Sequence, residues 1–121
     1  MTLEKLIIKG NTRLKGDVII SGAKNAAVAI LPATLLINGI CTIDNLPNIS
    51  DVKISCEILE KLGAKIDWKS PNEITIDTRN ICCAKAPLDM TSKFRASYYL
   101  IGSLLGRCKS AEVGLPGGCN L

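Results

Sequence analysis

Lys24-Asn-Ala-Ala-Val-Ala-Ile-Leu-Pro-Ala-Thr-Leu-Leu-Ile-Asn-Gly-Ile-Cys-Thr-Ile-Asp-Asn-Leu-Pro47 returns in altered form as Lys93-Phe-Arg-Ala-Ser-Tyr-Tyr-Leu-Ile-Gly-Ser-Leu-Leu-Gly-Arg-Cys-Lys-Ser-Ala-Glu-Val-Gly-Leu-Pro116. A shift of 69 residues aligns the two segments without a gap. Positions that match outright include Lys24/Lys93, Ala27/Ala96, Leu35/Leu104, Leu36/Leu105, Leu46/Leu115 and Pro47/Pro116. Apolar helices align easily by chance, so the gapless register and the shared Leu-Pro ending weigh more than the count. An internal repeat explains both. Each segment is apolar on nearly every side of its helix, over 24–37 and 92–106, which is the pattern of a helix buried all round.

The rest of the chain supplies what would cover those helices. Leu3–Lys9 and Asp17–Ser21 read as strands, and Gly22-Ala-Lys-Asn25 opens the first helix, which Asn38-Gly39 ends. Pro32 lies inside that helix and predicts a kink. Ile40–Ile43 is a short strand. Ser50 is placed as the cap of a second helix, with Asp51 in its first turn, where the helix dipole favours a negative charge. That helix is amphipathic and stops at Gly63. Ala64–Lys69 and Glu73–Thr78 form a hairpin around Ser70-Pro-Asn72. Its first strand alternates Lys65, Asp67 and Lys69 with Ala64, Ile66 and Trp68, as a sheet with one wet face does. Asn80–Asp89 reads as loop, a third helix starts at Thr91 or Ser92, and Lys109–Leu115 is a last strand.

The order is β-α-β-α-β-β, and then it begins again. Buried helices beside half-wet strands place helices inside and sheets outside. The predicted fold is therefore α/β, an inside-out arrangement of repeated βαβαββ units. One complete unit covers about 16–79 and a truncated second about 80–121, while the strand over 3–10 is open to assignment to a second domain.

Composition narrows the function. The chain has 121 residues, 47% of them hydrophobic, enough for a core and against disorder. Its 15 basic and 11 acidic residues give a net charge of +4, with the cations scattered. That pattern points to anionic small molecules. Aromatics at 3% are too few for the stacking platforms of single-strand binders, so nucleic acid is set aside. With no histidine, these residues hold no Ser-His-Asp triad, Cys-His pair or histidine metal ligand. The six cysteines include no Cys-x-x-Cys pair. The opening residues lack a signal-peptide core, and the longest apolar stretch, 26–37, is too short to cross a bilayer. Free thiols in a reducing cytoplasm, without a membrane partner, fit best.

Four residues are singled out for chemistry. Lys24 and Asn25 stand where a strand meets a helix N-terminus, a place that attracts anions; the glycine spacing is not that of a Walker loop. Arg95 stands near the matching end of the repeated helix. Read singly, Lys24 is as readily a solvated lysine and Arg95 one side of a surface salt bridge; read together, a cation at each helix start points to an anionic ligand between the repeats. Cys119 follows Gly117-Gly118 on a polar-flanked loop, where glycines let backbone approach a ligand and a thiol can meet a substrate. Without histidine it needs a helix terminus or nearby cations to gain acidity. Cys41, Cys56 and Cys108 read as core, and ring strain argues against a disulfide between Cys82 and Cys83.

Ser21-Gly-Ala-Lys-Asn-Ala-Ala27, Asp51-Val52, Phe94-Arg-Ala-Ser97 and Leu115-Pro-Gly-Gly-Cys119 resemble the N-terminal part of the UDP-N-acetylglucosamine 1-carboxyvinyltransferases, a family of bacterial enolpyruvyl transferases. The likeness runs the length of the chain. The Lys-Asn and Pro-Gly-Gly-Cys motifs are particular to that family; the shikimate-pathway enolpyruvyl transferase shares the architecture and lacks the cysteine loop. The resemblance implies an inside-out α/β barrel and transfer of the enolpyruvyl group of phosphoenolpyruvate to the 3-hydroxyl of UDP-N-acetylglucosamine, the first committed step of peptidoglycan precursor synthesis. It implies that Lys24 and Asn25 bind phosphoenolpyruvate and the approaching sugar, and that Arg95 contacts the nucleotide sugar. Cys119 would be the general acid toward the methylene carbon, open to a covalent phospholactoyl adduct and to alkylation by an epoxide such as fosfomycin. No metal or organic cofactor is implied. Family chains are several times longer, and their uridine-binding loop, carboxylate base and further arginines have no counterpart in these residues, so residues 1–121 alone are expected not to turn over substrate. A non-catalytic nucleotide-sugar binding module and a thiol-redox protein using Cys119 are the other readings; neither accounts for Lys24-Asn25 and Pro-Gly-Gly-Cys together.

Overall fold

The computed structural model describes residues 4–115. Its elements are α1 (Lys24–Ala33), extended by a 3-10 turn (Thr34–Leu36), β1 (Ile40–Ile43), α2 (Ser50–Lys61), β2 (Lys65–Ser70), β3 (Glu73–Asp77), α3 (Leu88–Thr91), a 3-10 turn (Arg95–Ser97) and α4 (Tyr98–Cys108). The sheet has three antiparallel strands in the order β1-β3-β2. Ile40 faces Asp77 and Ile43 faces Ile74 across one edge; Lys65 faces Asp77 and Trp68 faces Ile74 across the other.

The hairpin forms, but the alternation holds only in part, because Trp68, read on the dry face with Ala64 and Ile66, is exposed. Ile74 and Ile76 of β3 are fully buried, while Lys65, Asp67 and Lys69 of β2 stand in water. The amphipathic reading of α2 also holds: Val52, Ser55, Cys56, Ile58 and Leu59 are buried, and Lys53, Glu57, Glu60 and Lys61 are exposed. Ser50 is not its side-chain cap, however. Ile49 occupies the N-cap position, no side chain caps the helix, and Ser50 lies within its first turn. Pro32 stays inside α1, where it has no N–H to offer the Val28 carbonyl one turn back, and the helix changes to a 3-10 turn two residues later.

Four expectations change. Residues 4–9 and 17–21 form no strand, and Leu6, Ile7, Ile8, Val18, Ile19 and Ile20 are exposed. Their β propensity is real, but a strand needs a paired neighbour and none among the described residues offers one. The last strand reduces to one parallel bridge, Lys85 to Glu112. The third helix starts earlier, at Leu88 after Pro87, and breaks before Arg95, so Arg95 lies in the 3-10 turn preceding α4. Finally, α1 and α4 do pack side by side, yet each keeps a wet flank: Ile30, Leu36 and Ile37 on one, Tyr98, Tyr99, Ile101 and Leu105 on the other. The helices that α1 packs on most are α2 and α4, and together they cover part of its circumference. Positions aligned by the 69-residue shift share burial over part of their length. Leu35 and Leu104 are both fully buried, and their neighbours Leu36 and Leu105 are both exposed. The likeness ends at Leu46, which is buried, and Leu115, which is not.

Candidate functional site

Three helix starts converge on one depression of about 690 Å³. Lys24 and Asn25 come from α1, Asp51 from α2, and Lys93, Arg95, Tyr98 and Tyr99 from the approach to α4. The backbone entering α1 is held close. A β-carbon at Gly22 would overlap the Asn45 carbonyl oxygen and lie 3.2 Å from Pro47 Cδ, so this position accepts only glycine without a backbone shift. Asn45 itself takes the left-handed conformation, with φ 52°. Ala23 follows with extended torsions, and among the described residues no side chain caps α1. Its first N–H groups are therefore free to meet a ligand.

The charge in the depression is lopsided. Lys24, Lys93 and Arg95 face one carboxylate, Asp51. Lys24 Nζ lies 2.7 Å from Asp51 Oδ2, with the Lys24 side chain 58% exposed. An ion pair that open is worth at most about 1 kcal/mol. It aims the lysine across the depression and can be exchanged for a ligand anion at small cost. Among the described residues, neither Lys93 nor Arg95 forms an ion pair. Helix N-termini and unneutralised cations favour the same ligand, an anion such as a phosphate or carboxylate. A second depression, of about 600 Å³ between α2 and the hairpin, sets Glu57 and Glu60 against Lys53, beside Trp68.

The structure thus brings Lys24, Asn25 and Arg95 together. Cys119 lies outside the described residues. Two of the described thiols have the marks of packing groups: burial pushes Cys56 up to about 12, helped by Glu60 and Glu57, and burial also raises Cys41. Among the described residues no three histidine, cysteine or acidic side chains gather to hold a metal, and no helix is long and apolar enough to cross a membrane. Sequence reasoning missed Lys93, although the repeat aligns it with Lys24. It also missed Tyr98 and Tyr99, read as part of an all-buried helix, which instead wall the depression at about half exposure.

Comparison with known proteins places this geometry. The chain is 46% identical over 119 residues to UDP-N-acetylglucosamine 1-carboxyvinyltransferase 2 of Bacillus cereus, covering 98% of this chain and 28% of that relative. It is 54% identical over 118 residues to UDP-N-acetylglucosamine 1-carboxyvinyltransferase of Clostridium botulinum, covering 97% of this chain and again 28% of the relative. The chain therefore spans little more than a quarter of these curated relatives. Its fold is similar to the crystal structure of the enolpyruvyl transferase NikO from Streptomyces tendae, with a TM-score of 0.68 at 28% identity over 79% of this chain and 22% of that one. A family model matches residues 8–121, from before the first helix through the Pro-Gly-Gly-Cys motif. The chain belongs to the EPSP synthase (3-phosphoshikimate 1-carboxyvinyltransferase) family.

Proposed function

We propose that this chain supplies the first part of an enzyme that transfers the enolpyruvyl group of phosphoenolpyruvate to the 3-hydroxyl of UDP-N-acetylglucosamine, in the cytoplasm and without metal or organic cofactor. The observation that carries the reading is the meeting of Lys24, Asn25 and Arg95 on one cation-rich depression. In this reading Lys24 and Asn25 hold the phosphate of phosphoenolpyruvate and the incoming sugar hydroxyl, and Arg95 holds the nucleotide sugar. Cys119 gives a proton to the methylene carbon as the sugar 3-hydroxyl, losing its own proton to a base outside these residues, adds to the neighbouring carbon. Loss of a proton from the resulting methyl group, with departure of phosphate, restores the double bond. The chemistry demands two anionic reactants in register, and such positioning supplies about 7–11 kcal/mol of a barrier. Three helix starts on one depression are suited to it.

The fold belongs to the same proposal. Units at about 16–79 and 80–121 are taken as successive repeats of an inside-out barrel. The wet flanks of α1 and α4 and the unpaired apolar stretches at 4–9 and 17–21 are then surfaces for its remaining repeats and second domain. Neither nucleic acid nor membrane is a proposed partner.

Phosphate release tests the assignment. In a polypeptide of the relatives' length carrying this sequence, release requires both substrates. Lys24→Ala and Cys119→Ser each lower the rate by at least about 10²-fold, the lower end of what one acid or base supplies. Residues 1–121 alone show none. Release that persists in Cys119→Ser overturns the assignment; release by residues 1–121 alone overturns only the expectation that they are inactive by themselves.

A further inference from the structure

Cys82 and Cys83 play no part in the anion site. They lie in the segment joining β3 to α3, between the two repeats, as free thiols, the first exposed and the second half-buried. The segment is docked rather than loose. The Cys82 N–H donates to the Leu62 carbonyl at 2.9 Å. Gly63, at φ 109°, faces it so closely that a β-carbon there would lie 3.0 Å from the Cys82 nitrogen and 3.2 Å from Ile81 Cα. Each thiol makes only a weak bond to backbone: Cys82 Sγ donates to Leu62 O at 3.3 Å and Cys83 Sγ to Lys85 O at 3.6 Å. Interaction with the Cys83 thiol, ahead of burial, raises the Cys82 pKa, so the exposed sulfur rests as a thiol.

Geometry sets what such a pair can do. Consecutive Cα atoms are about 3.8 Å apart, short of the roughly 4.4–6.8 Å that a disulfide usually spans. A direct sulfur–sulfur bond across this peptide is strained. One soft atom between the sulfurs lengthens the bridge by a bond and relieves that constraint, and thiol sulfur selects soft centres. We propose that Cys82 and Cys83 form a dithiol site for trivalent organic arsenic compounds. With an aryl arsenoxide, each sulfur forms one arsenic–sulfur bond. The two thiol protons leave with the arsenic-bound oxygen as one water. Arsenic remains trivalent, so neither oxidant nor reductant is consumed. The product ring clamps the segment between the repeats. Cys41, Cys56 and Cys108 lie on β1, α2 and α4, one to an element, and offer no adjacent pair.

The probe is phenylarsine oxide, one equivalent, added to the native full chain and followed by excess glutathione, which strips arsenic from single thiols. The expected result is a 1:1 adduct whose mass gain is one phenylarsenic unit less two hydrogens. It survives glutathione, is removed by a dithiol, and maps to the peptide holding Cys82 and Cys83. Cys82→Ser and Cys83→Ser each abolish the glutathione-resistant adduct, and Cys108→Ser keeps it. No resistant adduct on the unaltered chain, a resistant adduct mapping elsewhere, or one that persists in Cys82→Ser overturns the proposal.

Discussion

Asp77 ends β3 with its carboxylate held by Arg79, whose Nε and Nη2 donate at 2.9 and 2.7 Å and whose backbone N–H donates at 3.1 Å. Hydrogen bonds to the ionised form favour it, and they pull the Asp77 pKa from 3.8 to about 2. The depressed value fixes the sign. Protonation is harder in the folded chain, so the stabilisation is full above about pH 4 and is lost as pH falls toward 2. Asp77→Asn removes the titrating group. Urea unfolding from pH 6 to 2 should show the advantage of the unaltered chain over Asp77→Asn shrinking below about pH 4; a difference that stays constant down to pH 2 excludes this account. The pairing links neighbours in sequence, yet the strand pattern around Asp77 gives no reason to single it out. Lys24 poses the converse problem. Its role at a helix start was legible from Gly22-Ala-Lys-Asn25, but its partner Asp51 comes from the start of another helix, and only packing of α1 on α2 brings them together.

At the scale of elements, legibility followed locality. α2 and the β2–β3 hairpin carry their reasons within a dozen residues, as an apolar stripe or an alternation beside a turn, and both form close to where they were read, without the Ser50 cap and with Trp68 exposed. The stretches at 4–9 and 17–21 have strand composition without a paired neighbour, and composition alone does not make a strand. The break between α3 and α4 is the instructive case, because no glycine or proline marks it. The Thr91 hydroxyl donates to the Pro87 carbonyl at 2.9 Å and accepts from the Gly114 N–H at 3.1 Å, while the Ser97 hydroxyl donates to the Thr91 carbonyl at 3.2 Å. Side-chain bonds of this kind compete with the helical ladder, and one reaches 23 residues along the chain. Thr91 is fully buried. Thr91→Val should therefore cost about 1–3 kcal/mol, the penalty for stranding a partner away from water, whereas Thr91→Ser, which keeps the hydroxyl, should cost less. Equal urea midpoints for the valine and serine variants would show that the hydroxyl does not hold this junction.

Over the whole molecule, the depression draws charge from both segments that the 69-residue shift aligns: Lys24, beside Asn25, from the first, and Lys93 and Arg95 from the second. The shift aligns Lys24 with Lys93 in the sequence, and in the fold both line the same depression. An anionic ligand seated there bridges the repeats and binds the folded chain only, so it must stabilise it, by about 2.7 kcal/mol at a hundred times its dissociation constant. The substrate reading and this linkage make one prediction. UDP-N-acetylglucosamine should raise the unfolding midpoint of the chain, and added salt should weaken the effect, since charges this exposed are screened over about 8 Å at physiological ionic strength. Arg95→Ala and Lys24→Ala should each remove most of the ligand-induced rise. Without ligand, their own midpoints should move little, because the Lys24–Asp51 pair is solvent-exposed and worth at most about 1 kcal/mol. The contrast between the two conditions separates a binding role from a structural one. If either variant keeps the full rise with UDP-N-acetylglucosamine, the nucleotide sugar is held somewhere other than between the repeats, and Lys24 and Arg95 return to being surface cations.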